Sequence, residues 1–213
     1  MTSAAAERKS PRGRMTAAER REQLIEIARG AFAERGFDGV SVEEIAARAE
    51  VSKPVVYEHF GGKIGLYTVV VDREVRLLLG RMREALTAAT PRMLLEQAAC
   101  TLLDYVEQSP DGFRILVRDS PPGSGSGSFV SIISDVATRV EGILGDQFRV
   151  RGFDAVFAPL YAQMLVGMVS TTSQWWLDTR EPDKQVVAAH LVNLAWNGLA
   201  HLEQQPTLAL HAR

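Results

Sequence analysis

The stretch Ser41 to Lys63, SVEEIAARAEVSKPVVYEHFGGK, restricts the possible folds more than any other part of the chain. Ser41 is an N-cap residue and Glu44 follows three positions later, the spacing of a capping box. Val42, Ile45, Ala46 and Ala49 recur at helical spacing and make one apolar face. That face stops at Ala49-Glu50-Val51. Ser52 opens a second helix with Pro54 in its first turn, where a missing N–H costs little. Val56 and Phe60 are four apart and point together into a core, and Lys53, Val55, Tyr57 and His59 lie off that line. Gly61-Gly62 supplies the positive φ that a helix stop often needs. Helix, tight turn and capped helix is the layout of a helix-turn-helix, whose second helix lies in the DNA major groove.

The outward residues suit that role. Ser52 and the first-turn amides can meet a phosphate at the helix N-terminus. Lys53, Tyr57, His59 and Lys63 are donors for phosphate oxygens, and Val55 is a small apolar group for a thymine methyl. The expected DNA-contact set is Ser41, Ser52, Lys53, Pro54, Val55, Tyr57, His59 and Lys63. An ordinary helical hairpin with a solvated polar face has the same chemistry, so these features alone leave both readings open.

The wording of the stretch narrows them. VSKPVVYEHFGGKIGLY resembles the recognition helix and following helix start of the tetracycline-repressor-like (TetR) family of transcriptional regulators. The shared frame falls on Val56, Tyr57, His59, Phe60 and Lys63, and the upstream AFAERGFDGVSVEEIAARAEVS also resembles the family. Glu50 departs from the pattern, since many relatives have glycine in that turn. A non-glycine residue at positive φ is strained, and this one sets a negative charge near DNA.

The remaining periodicity predicts an all-α chain, and the resemblance implies its division into an N-terminal three-helix, helix-turn-helix DNA-binding domain plus a C-terminal helical domain for ligand binding and dimerisation. Thr16 with Glu19 forms a second capping box and starts a helix with the stripe Leu24, Ile27, Ala28, Ala31, Phe32. The expected divisions are a disordered basic arm over 1–15, a DNA-binding domain over 16–76 with its helix-turn-helix at 41–60, and a C-terminal domain over 77–213. Further helices are expected from Lys63 to about Ala89, from Met93 to about Gln108, over Phe113–Asp119, from Phe129 to about Phe148, from Asp154 to about Asp178, and from a start at Glu181-Pro182-Asp183 to about Gln204. Ser109-Pro110-Asp111-Gly112 reads as a turn. SPPGSGSGS, over 120–128, reads as a surface loop, because it lacks the GK[ST] and preceding strand of a phosphate-binding loop.

Composition excludes little by itself. The 213 residues are 46% hydrophobic and 23% charged, with a net charge of −2. The charge is unevenly placed: six basic residues against two acidic ones before Glu22 give +4, leaving −6 for the rest. A basic end on an acidic body directs a field towards DNA. The lone Cys100 cannot form an intramolecular disulfide and is expected as a small core residue. No apolar run reaches the ~20 residues of a membrane span and no signal peptide is visible, so a cytoplasmic protein is expected.

The resemblance implies a homodimer, because the family packs its last two helices against their mates. Leu191, Leu194, Ala195, Gly198, Leu199 and Leu202 are the expected interface, around the WNGL of Trp196–Leu199. It further implies a repressor of a palindromic DNA operator that a small-molecule effector releases. Phe113, Met164, Met168, Gln174, Trp175 and Asn193 are the expected pocket material. No cofactor and no metal are expected: His59, His190, His201 and His211 are scattered, and the middle pair is ~16 Å apart along a helix. The alternatives are a ligand-independent architectural DNA-binding protein and an all-α enzyme, for which no catalytic motif is present.

Overall fold

The computed structural model describes residues 15–117 and 129–208, the side chains of 129–133 excepted. The basic arm (apart from Met15), the Gly/Ser-rich stretch over 120–128 and the last five residues lie outside that set. Among the described residues every regular element is helical: α1 (Ala17–Arg35), α2 (Val42–Arg48), α3 (Lys53–Phe60), α4 (Lys63–Ala85), α5 (Pro91–Gln108), α6 (Pro110–Val117), α7 (Phe129–Arg151), a 3-10 turn (Ala155–Phe157), α8 (Ala158–Thr179) and α9 (Lys184–Ala200).

Helices α1 to α3 make a small head. Thr16 and Glu19 close the capping box that starts α1. At α2 only half of the expected box forms: Ser41 Oγ accepts from the Glu44 N–H, while the Glu44 carboxylate turns to Arg35 and Arg48. Leu24, Ala28, Phe32, Val40, Ile45 and Val56 are fully buried beneath this unit. Phe37 stacks near Phe32 and meets Tyr67 of α4 edge-on, which ties the head to the helix that leaves it.

Helix α4 carries the chain into a body made of α5 to α9. It packs on α1, α5 and α6; α7 pairs with α8, and α5 with α9. The buried core runs without a break from Leu24 in the head to Leu191 in the body. A smaller cluster around Leu144 and Phe148 holds α7 against α8.

Several boundaries differ from expectation for local reasons. α4 stops at Ala85, and α5 starts at Pro91, because Thr90 caps it and proline suits the first turn. Pro110-Asp111-Gly112 is not a turn but the start of α6; only Ser109 breaks the helical path. α9 ends at Ala200 rather than near Gln204, where the Arg151 guanidinium donates to the Leu199 and Ala200 carbonyls. Cys100 is exposed rather than in the core, since Ala99, Leu102 and Leu103 take the inward positions of α5. The stretch Ala155–Thr179 reaches a mean hydropathy of 1.3 over a membrane-length window. It is therefore long and apolar enough to cross a membrane by that measure, contrary to the sequence reading, although Gln163, Thr171, Thr172 and Gln174 interrupt it.

Candidate nucleic-acid interface and internal cavity

The start of α3 projects from the head. Ser52, Lys53, Pro54 and Tyr57 are exposed together at its first two turns. Ser52 is the N-cap by backbone geometry, yet its hydroxyl makes no capping bond. Pro54 has no N–H to offer, and the Val55 N–H is taken by the Ser52 carbonyl at 3.0 Å. The hydroxyl is left at a helix N-terminus, where an anion is favoured.

Tyr57 lies across the glycine turn that follows α3. A Cβ at Gly62 would come within 3.3 Å of the Tyr57 ring, and Gly62 has φ 124°, so glycine is needed there twice over. The Lys53 ammonium sits 5.6 Å from the Tyr57 ring centre and also pairs with Glu43 of α2. That pair holds Lys53 slightly above its usual basicity, chiefly through the hydrogen bond to Glu43. Glu43 was not anticipated from the sequence; its place in the first turn of α2 reads only as a favourable acidic position.

The other expected contact residues are less free. Val55 is half-buried against the core. His59 is half-buried, and its carbonyl accepts from Arg21 of α1 at 2.7 Å. The same guanidinium lies 4.4 Å from the Phe60 ring centre, so Arg21 fastens α1 to the end of α3. Lys63, half-buried, places its ammonium 4.2 Å from the Phe37 ring centre. Ser41 is exposed, its oxygen committed to the cap of α2. Glu50 adopts φ 54°, the left-handed conformation its position in the turn implies.

A cavity of about 530 Å³ opens in the body between α4, α5, α7, α8 and α9. Leu78, Leu79 and Met82 of α4, with Leu86 just past its end, face Leu94, Leu95, Ala98 and Leu102 of α5 across it. Val140, Ile143, Leu165, Val169 and Trp196 complete an apolar wall. Exposed Arg83, Asp135 and Arg139 stand at its mouth. None of the six residues expected as pocket material lines it. Phe113 is fully buried beside Tyr105, where α6 meets α5. Met168 packs on the core and Gln174 is half-buried. Met164 and Trp175 are more than half exposed on α8, and Asn193 is exposed on α9. Trp176 takes the inward direction instead and donates to the Pro182 carbonyl at 2.8 Å.

Of the six residues expected at a dimer interface, five divide between two sides of α9 and Leu202 lies past its end. Leu191 and Ala195 are buried within the protomer, and Leu199 and Leu202 are half-buried against the smaller cluster. Leu194 and Gly198 face outward, and a Cβ on Gly198 would meet nothing within 4 Å. The outward side of α9 also carries Val186, Ala189, His190, Asn193 and Asn197, with no Asp, Glu, Lys or Arg among them. Leu160, Met164, Thr171 and Trp175 form a comparable exposed stripe on α8.

Comparison with known proteins agrees with this layout. Residues 24–70 match the tetR family of bacterial regulatory proteins, and residues 91–198 match a tetracyclin repressor-like C-terminal domain. The HTH-type transcriptional activator FasR of Mycolicibacterium smegmatis is 33% identical over 187 residues, covering 86% of this chain and 84% of FasR. A TetR-like transcriptional regulator from Rhodococcus sp. RHA1 superposes with a TM-score of 0.71 at 26% identity, over 89% of this chain and all of that one. A tetR-family regulator from Streptomyces coelicolor gives 0.63 at 27% identity, over 87% and 82%. The head thus carries the N-terminal helix-turn-helix of this fold, and the chain belongs to the TetR family of DNA-binding transcriptional regulators.

Proposed function

We propose that the chain acts as a homodimer that binds a palindromic operator through α3 and is released from it by a small, mostly apolar molecule held in the cavity. One observation carries this reading: a single helix, α4, joins the two places. Its first residue, Lys63, stands at the recognition turn, and its Leu78, Leu79 and Met82 line the cavity. An occupant that prefers one position of α4 shifts the recognition helix with it, which is the differential binding that allostery requires.

The division of labour follows the sequence expectation, with a DNA-binding part over 16–76 and an effector and dimer part over 77–213. Ser52, Lys53, Pro54 and Tyr57 form the exposed contact set, Val55 and His59 flank it, and Ser41 and Lys63 mark its edges. The outward side of α9, which carries no charge, and the apolar stripe of α8, where Asp178 at the end is the one charge, support pairing with a second copy, because a mostly uncharged face of that length is well suited to burial. A two-fold protein presents its recognition helices to half-sites about 34–36 Å apart. Arg83 and Arg139 suit a polar or anionic end on the effector. Repression and activation use the same two parts, so the reading assigns release from DNA; repression, the expected sign, further requires an operator that overlaps the promoter. A cytoplasmic location, where chromosomal DNA is reached, belongs to this reading.

Selection from random duplex DNA, with sequencing of the bound pool, tests the reading. An enriched inverted repeat is expected. A pool without a dyad, at a salt concentration where binding is measurable, would replace it with an architectural, sequence-independent role.

A further inference from the structure

Where head and body meet, a carboxylate is buried that DNA contact does not use. Glu74 in the middle of α4 is 3% exposed. Arg29 of α1 donates from Nε to its Oε1 at 2.7 Å. The Tyr105 hydroxyl of α5 donates to its Oε2 at 2.7 Å, and the Ser109 hydroxyl donates to the same oxygen at 3.3 Å. Ser109 in turn accepts from the Arg29 guanidinium at 2.5 Å. The cluster leaves no space beside it: a Cβ on Gly112 of α6 would lie 2.0 Å from Oε2. Three helices, α1, α4 and α5, and the Ser109 joint that leads into α6 thus meet at one carboxylate.

Its neighbours on either side have jobs of their own. One turn along α4 from Glu74 is Leu78, and one turn back along α5 from Tyr105 is Leu102; both line the cavity. Two turns back along α1 from Arg29 is Arg21, which grips the end of α3. An occupant that parts α4 from α5 must therefore strain the Tyr105–Glu74 bond before it disturbs anything nearer the DNA. Apolar packing at this point would let helices slide. A buried carboxylate requires its donors in place, and leaving one unmade is costly, so the cluster favours discrete arrangements over gradual ones.

We propose that Glu74, held by Arg29, Tyr105 and Ser109, is the positioning residue that sets the orientation of the DNA-reading head relative to the cavity. The role rests on the operator reading above, and two measurements separate them. The first needs no DNA. In Tyr105→Phe, which keeps the ring against Phe113 and removes one donor, amide hydrogen exchange of α1 and α3 is expected to quicken about tenfold, with α8 and α9 unchanged. Equal acceleration throughout the chain, or none, overturns the proposal, because a staple that only adds stability would act on all helices alike. The second repeats the random-duplex selection with the variant. The half-site letters are expected to stay the same while the selected spacing between them broadens; an unchanged, sharp spacing overturns the proposal. If the unaltered protein selects no inverted repeat, the operator reading fails, and the exchange measurement decides the role of Glu74 by itself. Ser109→Ala, which removes only the bridging oxygen, serves both measurements if Tyr105→Phe lowers the folded yield.

Discussion

Gly65, in the first turn of α4, offers a sharp test of how the recognition helix is held. A Cβ there would lie 1.9 Å from the Phe60 carbonyl oxygen and 3.1 Å from its carbon. The obstacle is backbone, so no rotamer can give way; the end of α3 and the start of α4 must part by roughly 1 Å to regain normal contact. Overpacking of this kind costs about 1–3 kcal/mol. Against it, alanine is favoured over glycine within a helix by about 0.5–1 kcal/mol. The clash is the larger effect, and Gly65→Ala is expected to lower stability by about 1–2 kcal/mol. For a chain of this size that is a fall in Tm of about 2–8 °C. Gly30→Ala in α1 and Gly80→Ala in α4 are the controls, because a Cβ at either position meets nothing within 4 Å. Both are expected to raise Tm by about 1–4 °C through propensity alone. Thermal melts at one fixed protein concentration make the comparison, since any assembly shifts apparent stability by mass action. DNA affinity, measured where all three variants are folded, is expected to fall for Gly65→Ala only. If Gly65→Ala tracks the two controls in both assays, the close approach of α4 to α3 does not position the recognition helix.

The remaining predictions concern DNA and assembly. Tyr57→Phe and Lys63→Ala are expected to weaken specific and random DNA alike, as phosphate contacts carry little base information, whereas Lys53→Ala alters preference among selected sites; electrophoretic titration against both kinds of duplex distinguishes these outcomes. Lys63→Ala also loses the contact over Phe37, worth about 0.5–1 kcal/mol in a melt. Glu50→Gly removes left-handed strain of about 1–2 kcal/mol and adds about 0.4–1 kcal/mol of chain entropy to the unfolded state, so a small gain in stability is expected. It also removes a negative charge, so binding to random duplex tightens, and Glu50→Gln, which keeps the strain, isolates that charge effect. Leu194→Glu is expected to yield a folded monomer in sedimentation with weakened operator binding; an unchanged sedimentation coefficient would remove this face of α9 from the assembly.

The helices were legible because their signals are local. Thr16 with Glu19, Ser52 with Pro54 and Gly61-Gly62 mark ends by chemistry within a turn, and the stripe from Leu24 to Phe32 declares its buried side by spacing alone. What covers an apolar side is not local. Met164 and Trp175 have the composition of pocket residues and the spacing of one helix face, but only the path of α7 and α9 decides that this face is turned outward. Phe113 is equally ambiguous until α6 is seen to begin at Pro110 and lie against α1. Leu191 and Leu194 sit three apart and read as one stripe, yet one is buried and the other is not, because α5 covers only one flank of α9. Glu74 is the hardest case. It interrupts the apolar pattern of α4 as a solvated residue would, and its first partner lies 45 residues away in sequence.

That separation also bears on how the chain is made. Arg29 donates to Ser109 across 80 residues, and Tyr105 reaches Glu74 only once α5 exists. At about 5–20 residues per second, the ribosome needs roughly 4–16 s to pass from the first of these residues to the last. During that interval the head has its own small apolar centre, but once α4 is made Glu74 still lacks its Tyr105 and Ser109 donors. The N-terminal helices therefore finish folding only when the fifth and sixth helices arrive, and a nascent chain halted before Ser109 is expected to hold its recognition helix loosely.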